Sequence, residues 1–291
     1  MYKNGDIFLS DKNINTAPIF NNTSETIPVL AVLHSTHVKN IDMVYESDIK
    51  NTYKHVFNNL NRYSGIIVST KQQQLDISAR INNEIPVHTI PVGYIDEHFT
   101  NLKRNNHSIN NNKIISVARY SPEKQLNHQI ELVSKLIKEF PNIQLHLYGF
   151  GKEEEKYKQL ITEYNLENNV FLRGFRRNLS AEIQDAYMSL ITSNMEGFNL
   201  GLLETITEGI PPVGYNSKYG PSELILNNEN GYLINKNDKD ELYNRVRNLL
   251  LDKTLRDTFS QECIKHSKAF SSKIVMKLWE DRFSTINSSY E

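Results

Sequence analysis

Short apolar runs alternate with longer stretches of helical period along most of the chain. Residues 27–33, 65–69 and 87–91 read as buried strands, with helices predicted over 48–60 and 71–81 between them. Residues 101–112 are polar and aperiodic and are expected to form a linker. The alternation then restarts. Strands are predicted at 113–118, 143–148, 170–172, 187–192, 211–215 and 231–234. Helices are predicted at 125–140, 152–164, 181–186, 199–209, 239–251, 254–266 and 272–286. Strands alternating with helices imply parallel, doubly wound sheets, so the fold class is α/β with two Rossmann-like lobes. The expected divisions are a turn-rich 1–28, an N-terminal lobe 29–100, a C-terminal lobe 113–270 and a last helix 271–291. Asn4-Gly5-Asp6 reads as a hairpin turn leading into Ile7-Phe8-Leu9.

The most informative stretch is Ser193-Asn-Met-Glu-Gly-Phe-Asn-Leu-Gly-Leu-Leu-Glu204, which follows a predicted strand. Glu196 falls before the helix and Glu204 more than a turn inside it. Even on one helix they would be roughly 12 Å apart. That spacing is poor for sharing a proton. It suits two carboxylates holding different parts of one long ligand whose phosphate faces the helix N-terminus. The plainer alternative is a capped core helix carrying a solvated Glu.

Arg119 and Lys124 flank a short loop at a predicted strand end, where ligands of doubly wound sheets bind. The two cations could hold a diphosphate and neutralise its charge as it leaves, or be solvated surface groups. Gly149-Phe-Gly151 is a close-approach turn. It does not extend to Gly-x-Gly-x-x-Gly, and no P-loop pattern occurs, so a nicotinamide oxidoreductase and a P-loop nucleotidase are disfavoured. His34 and His37 end an N-lobe strand. They read as structural histidines or as a cleft-facing contact, since no third metal ligand lies near in sequence.

Composition narrows the classes. The 291 residues are 38% hydrophobic, enough for real cores, and the net charge of −1 gives no field for nucleic acid. One cysteine, Cys263, makes neither a disulfide framework nor a zinc cluster. No apolar run is long enough to span a membrane and the N-terminus is unlike a signal peptide, so a cytoplasmic location is expected.

Taken in order, Arg119-x4-Lys124, Gly149-x-Gly151, Glu196-Gly-Phe-Asn-Leu with Glu204, and Gly220-Pro-Ser-Glu with Asn230-Gly231 resemble the donor lobe of a GT-B glycosyltransferase of family 4. Leu33-His-Ser-Thr-His-Val38 and Lys218-Tyr-Gly-Pro-Ser222 narrow the resemblance. They are similar to the poly(glycerol-phosphate) and poly(ribitol-phosphate) α-glycosyltransferases of wall teichoic acid and to glycosyltransferases of serine-rich adhesins. The resemblance covers about residues 29–286 and implies a UDP-sugar donor, UDP-glucose or UDP-N-acetylglucosamine, with no cofactor and no metal.

It also implies roles for residues. Arg119 and Lys124 would clamp the diphosphate, and Glu196 the sugar hydroxyls with backbone at Gly197, Phe198, Asn199 and Leu200. Glu204 would hold the ribose, backbone near Arg173 the uracil, the Gly149 turn the donor, and His34 the sugar from the N-lobe. The anomeric configuration would be retained, on an anionic polymer or protein acceptor. No nucleic acid is implied. Peripheral attachment at the inner membrane face and a homo-oligomer or partner chain fit the same resemblance. The N-terminal lobe is shorter than a complete GT-B acceptor lobe, so it is expected to be incomplete, with 1–28 a remnant of a β-rich insertion. The alternative is a non-catalytic UDP-sugar-binding or partner subunit.

Overall fold

A computed structural model describes residues 7–11, 28–39, 49–94 and 109–288. Two parallel sheets organise them. The first has four strands in spatial order β1 (Phe8–Asp11), β2 (Val29–Leu33), β3 (Gly65–Val68) and β4 (Val87–Thr89). Helices α1 (Asn51–Asn58) and α2 (Lys71–Arg80) make the crossovers. The turn expected at Asn4–Asp6 lies outside the described residues. The strand after it corrects the expected division at residue 28. Phe8–Asp11 pairs in parallel with Val29–Val32, so it is an outer strand of the lobe itself.

β2 shows why an all-apolar run is needed. Ala31 and Leu33 face α1 and α2, packing with Tyr53, Val56 and Ile77. Leu30 and Val32 face the other way, onto Ile67, Ile90 and the last helix. A strand covered on both faces cannot alternate with polar residues.

The second sheet contains β5 (Asn110–Val117), β6 (Gln144–Tyr148), β7 (Val170–Gly174), β8 (Ala186–Ile191), β9 (Pro212–Tyr215) and β10 (Tyr232–Ile234). Their spatial order is β7-β6-β5-β8-β9-β10, all parallel. The chain leaves β7 at one edge and returns to the middle as β8. The order therefore reverses between β5 and β8, and a crevice opens beyond their carboxyl ends. Around the sheet lie α3 (Leu126–Leu136), α4 (Glu154–Glu163), α5 (Leu179–Ile183), α6 (Leu200–Thr207), α7 (Pro221–Leu224), α8 (Lys239–Leu251) and α9 (Lys253–Ser267). Asp238 and Asp252 start α8 and α9 by accepting from Glu241 N and Leu255 N at 2.9 Å each.

Three sequence boundaries move. The linker expected over 101–112 ends earlier, because Asn110–Asn112 belong to β5; residues 101–108 lie outside the described set. These asparagines are exposed, so their polarity hid a strand that pairing with Ala186 secures. The helix expected at 181–186 runs over Leu179–Ile183, capped by Asn178, and Ala186 already opens β8. The last helix, α10 (Ser272–Ser288), is not a separate division. It leaves the second lobe and packs Val275, Trp279, Phe283 and Ile286 against the first sheet. Its start is tied to Tyr94, whose carbonyl accepts from Ser272 N at 2.9 Å and Oγ at 2.6 Å.

Candidate functional site

The reversal point puts two loops side by side. After β5, residues 118–125 turn through a single 3₁₀ turn, Pro122–Lys124, and Gln125 adopts a left-handed φ of 47° before α3. After β8, residues 192–199 lead into α6 through Asn199, also left-handed at φ 77°. The floor between them is hydrogen-bonded. Gln129 Nε2 donates to Ser116 Oγ at 3.1 Å and to Thr192 Oγ1 at 2.9 Å. Thr192 Oγ1 in turn lies 3.0 Å from the carbonyls of both Lys124 and Gln125. These hydrogen bonds among buried groups fix one arrangement of the two loops, while Gln129 Oε1 is left without a partner among the described residues.

Above that floor sits Glu196, only 7% exposed. Lys124 Nζ donates to both carboxylate oxygens at 2.7 Å. Ser193 Oγ and Asn199 Nδ2 donate to Oε1 at 2.5 and 2.8 Å. This changes the expected division of labour. Lys124 and Glu196, assigned to different parts of a ligand, form one buried ion pair. Asn199 also accepts from Leu202 N at 3.0 Å, so one side chain caps α6 and holds the carboxylate. Sequence reasoning missed Ser193 and Asn199 as side-chain partners. Their positions three residues either side of Glu196 carried the signal.

Arg119 stands apart from this pair. Its side chain is 76% exposed and donates to Glu123 Oε1 at 3.1 Å. Gly149 lies against the same loop: at φ +139°, a Cβ there would sit 1.9 Å from Ala118 O. Gly149 N donates to Gly174 O at 3.0 Å, so the Gly149 turn and the end of β7 are adjacent. Arg173, on β7, donates from Nε to His146 Nδ1 at 3.0 Å and lies over Phe171. Burial, then the Arg173 and Lys113 charges, push His146 down to about 4.

Glu204 is half-buried on α6, and burial raises its carboxyl pKa. Among the described residues no hydrogen bond or ion pair involves its carboxylate. Phe198 is core, packed edge-on to Phe270 at 5.6 Å, so only its backbone is open to a ligand. Leu200 is 53% exposed at the start of α6.

The first lobe reaches this site through the end of β2. His34 is exposed, and its carbonyl lies where a Cβ on Gly197 would come within 2.7 Å. Glycine at 197 thus lets the two lobes touch. His37 is fully buried, stacked between Phe57 and Tyr219 at 5.8 and 6.0 Å. Among the described residues neither ring nitrogen has a hydrogen-bond partner. Lys218 and Asp76 make an ion pair across the lobes at 3.0 Å, and Lys71 N donates to Glu223 Oε1 at 2.5 Å. Among the described residues no His, Cys, Asp and Glu side chains group as a metal site. No helix among them is long and apolar enough to cross a membrane.

Because Arg119 is exposed and its ion pair contributes under about 1 kcal/mol, Arg119→Ala should leave the melting temperature nearly unchanged. If Arg119 faces a leaving diphosphate, turnover should fall about 30- to 1000-fold, equivalent to about 2–4 kcal/mol. Unchanged turnover in a steady-state assay would remove Arg119 from the site.

A family model for glycosyl transferases group 1 matches residues 98–266, more than half of the chain. The poly(ribitol-phosphate) alpha-N-acetylglucosaminyltransferase of Staphylococcus aureus strain COL is 27% identical over 276 residues, covering 92% of this chain and 53% of that protein. The UDP-N-acetylglucosamine–peptide N-acetylglucosaminyltransferase GtfA subunit of Streptococcus agalactiae is 30% identical over 244 residues, covering 81% and 47%. The chain thus spans about half the length of these curated relatives. The crystal structure of an S. aureus TarM variant with fondaparinux, alpha-GlcNAc-glycerol and UDP superposes with a TM-score of 0.83 at 27% identity, covering 95% of this chain and 55% of that one.

Proposed function

The chain belongs to the glycosyl transferases group 1 family. On that premise we propose that it moves a hexose or N-acetylhexosamine from a UDP-sugar to a polyol-phosphate polymer or a serine-rich protein, with retention at the anomeric carbon. Membership places it among sugar transferases; its own activity, the donor, the sugar and the acceptor are our reading. The TarM structure, which holds UDP and a glycosylated glycerol, and the acceptors named for the two relatives support that reading.

One observation carries the reading: Lys124 and Glu196 lie together at the reversal point of the sheet. A diphosphate bound there would meet Lys124, the Arg119 loop and the first-turn amides of α6, whose dipole favours an anion. As the glycosidic bond breaks, charge grows on the departing diphosphate, and fixed cations lower that barrier.

Glu196 is ill-suited as a nucleophile. Its Oε1 accepts from three donors and Oε2 from one, so little electron density is available to attack an anomeric carbon. The remaining lone pair on Oε2 suits a sugar hydroxyl. His34 on the opposite lobe would contact the sugar. Among the described residues no second group is set as a base for a nucleophile, which fits attack from the leaving-group face within an ion pair.

Glu204, whose carboxylate makes no hydrogen bond or ion pair among the described residues, would accept from the ribose hydroxyls. Burial raises its pKa, so in the free protein it takes up a proton at higher pH than an exposed Glu. Acceptance from two hydroxyls needs the carboxylate. UDP affinity should therefore rise as pH increases through this raised pKa, and Glu204→Gln should flatten the profile. Calorimetric titrations of UDP at several pH values check this; parallel profiles for both proteins would refute the role.

The proposal itself is tested by incubating the chain with radiolabelled UDP-glucose or UDP-N-acetylglucosamine and a glycerol- or ribitol-phosphate polymer or serine-rich peptide. Label in the acceptor is expected. Tight UDP binding without transfer would instead make the chain a non-catalytic UDP-sugar-binding subunit.

A further inference from the structure

The cations around the site differ in how their charge is met. Lys124 is paired with Glu196, Arg119 with Glu123, and Lys218 with Asp76. Lys50 differs: it forms no ion pair among the described residues. It lies in the first lobe, where Lys50 N donates to His37 O at 2.9 Å and a bridge between Val38 and Ile49 closes the loop after β2. Its ammonium donates to Thr36 Oγ1, a neutral hydroxyl. Among the described residues no carboxylate lies within ion-pair distance of it.

Lys50 is nevertheless not a solvated surface lysine. It is half-buried, and burial lowers its pKa, opposed by the negative charge of Glu123. Glu123 belongs to the other lobe, in the 3₁₀ turn that carries Lys124. Lys50 thus looks across the lobe junction at the candidate diphosphate loop. Thr36, its partner, also approaches Met195 Sδ at 3.9 Å, next to Glu196. Lys50 is moreover the N-cap residue of α1. Among the described residues no side chain caps that helix, and its first turn holds no acidic residue. Among the described residues its facing negative charge, Glu123, lies beyond ion-pair distance, so burying the ammonium is costly and a bound anion offsets that cost.

We propose that Lys50, with the Thr36 hydroxyl, is a phosphate-binding residue on the first-lobe side of the cleft, facing the loop of Arg119 and Lys124. This rests on the glycosyl-transfer reading above. The phosphate is either the diphosphate of the donor or a phosphodiester of the acceptor chain. In both cases Lys50 brings the first lobe's charge to bear on a ligand held mainly by the second.

The test uses the full chain and the variants Lys50→Met, which keeps the apolar stem, and Lys50→Arg, which keeps the charge. Calorimetry measures binding of UDP, of uridine and of a short glycerol-phosphate oligomer. For donor phosphate, Lys50→Met weakens UDP about tenfold, leaves uridine alone, and is rescued by Lys50→Arg. For acceptor phosphate, Lys50→Met leaves UDP alone and weakens the oligomer by the same factor. Equal affinities of wild type and Lys50→Met for UDP and oligomer overturn the assignment while leaving the glycosyl-transfer reading intact. If wild-type protein binds neither UDP nor oligomer, that reading fails and the assignment falls with it.

Discussion

Lys124→Met should lose both activity and stability, the largest combined effect expected of a single substitution at this site. The Lys124 ammonium and the Glu196 carboxylate have side chains only 13% and 7% exposed. Removing the cation leaves a nearly buried carboxylate without its counter-charge. Breaking a buried pair from one side costs about 3–5 kcal/mol. Ser193 and Asn199 remain as donors to Oε1, which places the expected loss at the lower end of that range. The barrier to transfer should rise by about another 2–4 kcal/mol, because a cation facing the leaving diphosphate is gone.

Glu196→Gln should be milder for folding, since the amide keeps an oxygen for Ser193 and Asn199. The double variant Lys124→Met/Glu196→Gln should be more stable than the sum of the single losses predicts, because no unpaired charge is left. Urea unfolding of the three proteins, together with steady-state turnover, reads all of this. A Lys124→Met protein as stable as wild type would show that the ion pair contributes nothing to the fold.

The second large effect is acid destabilisation centred on His37. Its ring is fully buried between Phe57 and Tyr219 at the lobe junction. Burial first, then the charges of Arg80, Lys50 and Lys218, push its pKa from 6.5 down to about 3. Asp76 faces the same region but is paired with Lys218. The sign follows from which state binds the proton. Below about pH 6.5 the unfolded chain protonates this histidine and the folded chain does not, so stability falls as pH falls. The loss stops growing only near pH 3. Between pH 7 and 5 the contribution is about 2 kcal/mol, at about 1.4 kcal/mol per pH unit below 6.5.

His37→Phe keeps the stacking and removes the titration. Its urea midpoint should therefore fall less steeply from pH 7 to pH 5 than that of wild type. Equal slopes would mean that His37 protonates in place at ordinary pH. His88 and His146, each held at about 4 chiefly by burial, add to the slope of both proteins and cancel in the comparison.

The sequence by itself determined the alternating α/β order, because an all-apolar strand buried on both faces and an amphipathic helix have different periods, and both periods survive in one dimension. It also placed Arg119, Lys124, Glu196 and Glu204 near strand ends and a helix start, since those positions follow from where apolar runs stop. What a residue at such an end touches is a different matter. The ion pair between Lys124 and Glu196 joins groups 72 positions apart, and only the neighbouring of β5 and β8 brings them together. That no described carboxylate lies within ion-pair distance of Lys50 depends in the same way on where the side chains of the other lobe fall.

Three further features were decided by tertiary structure alone. Phe8–Asp11 became a sheet strand because β2 offered it an edge. The exposed Asn110–Asn112 became strand through pairing, although its polar residues carry no period. The last helix has an apolar face that sequence reading detects, but not an address. That face covers the first lobe because Ser272 is tied to Tyr94 and Gly93 admits Val275, a Cβ at Gly93 coming within 3.2 Å of it. Periodicity records that a surface must be buried; the partner that buries it is fixed only when the whole chain is packed.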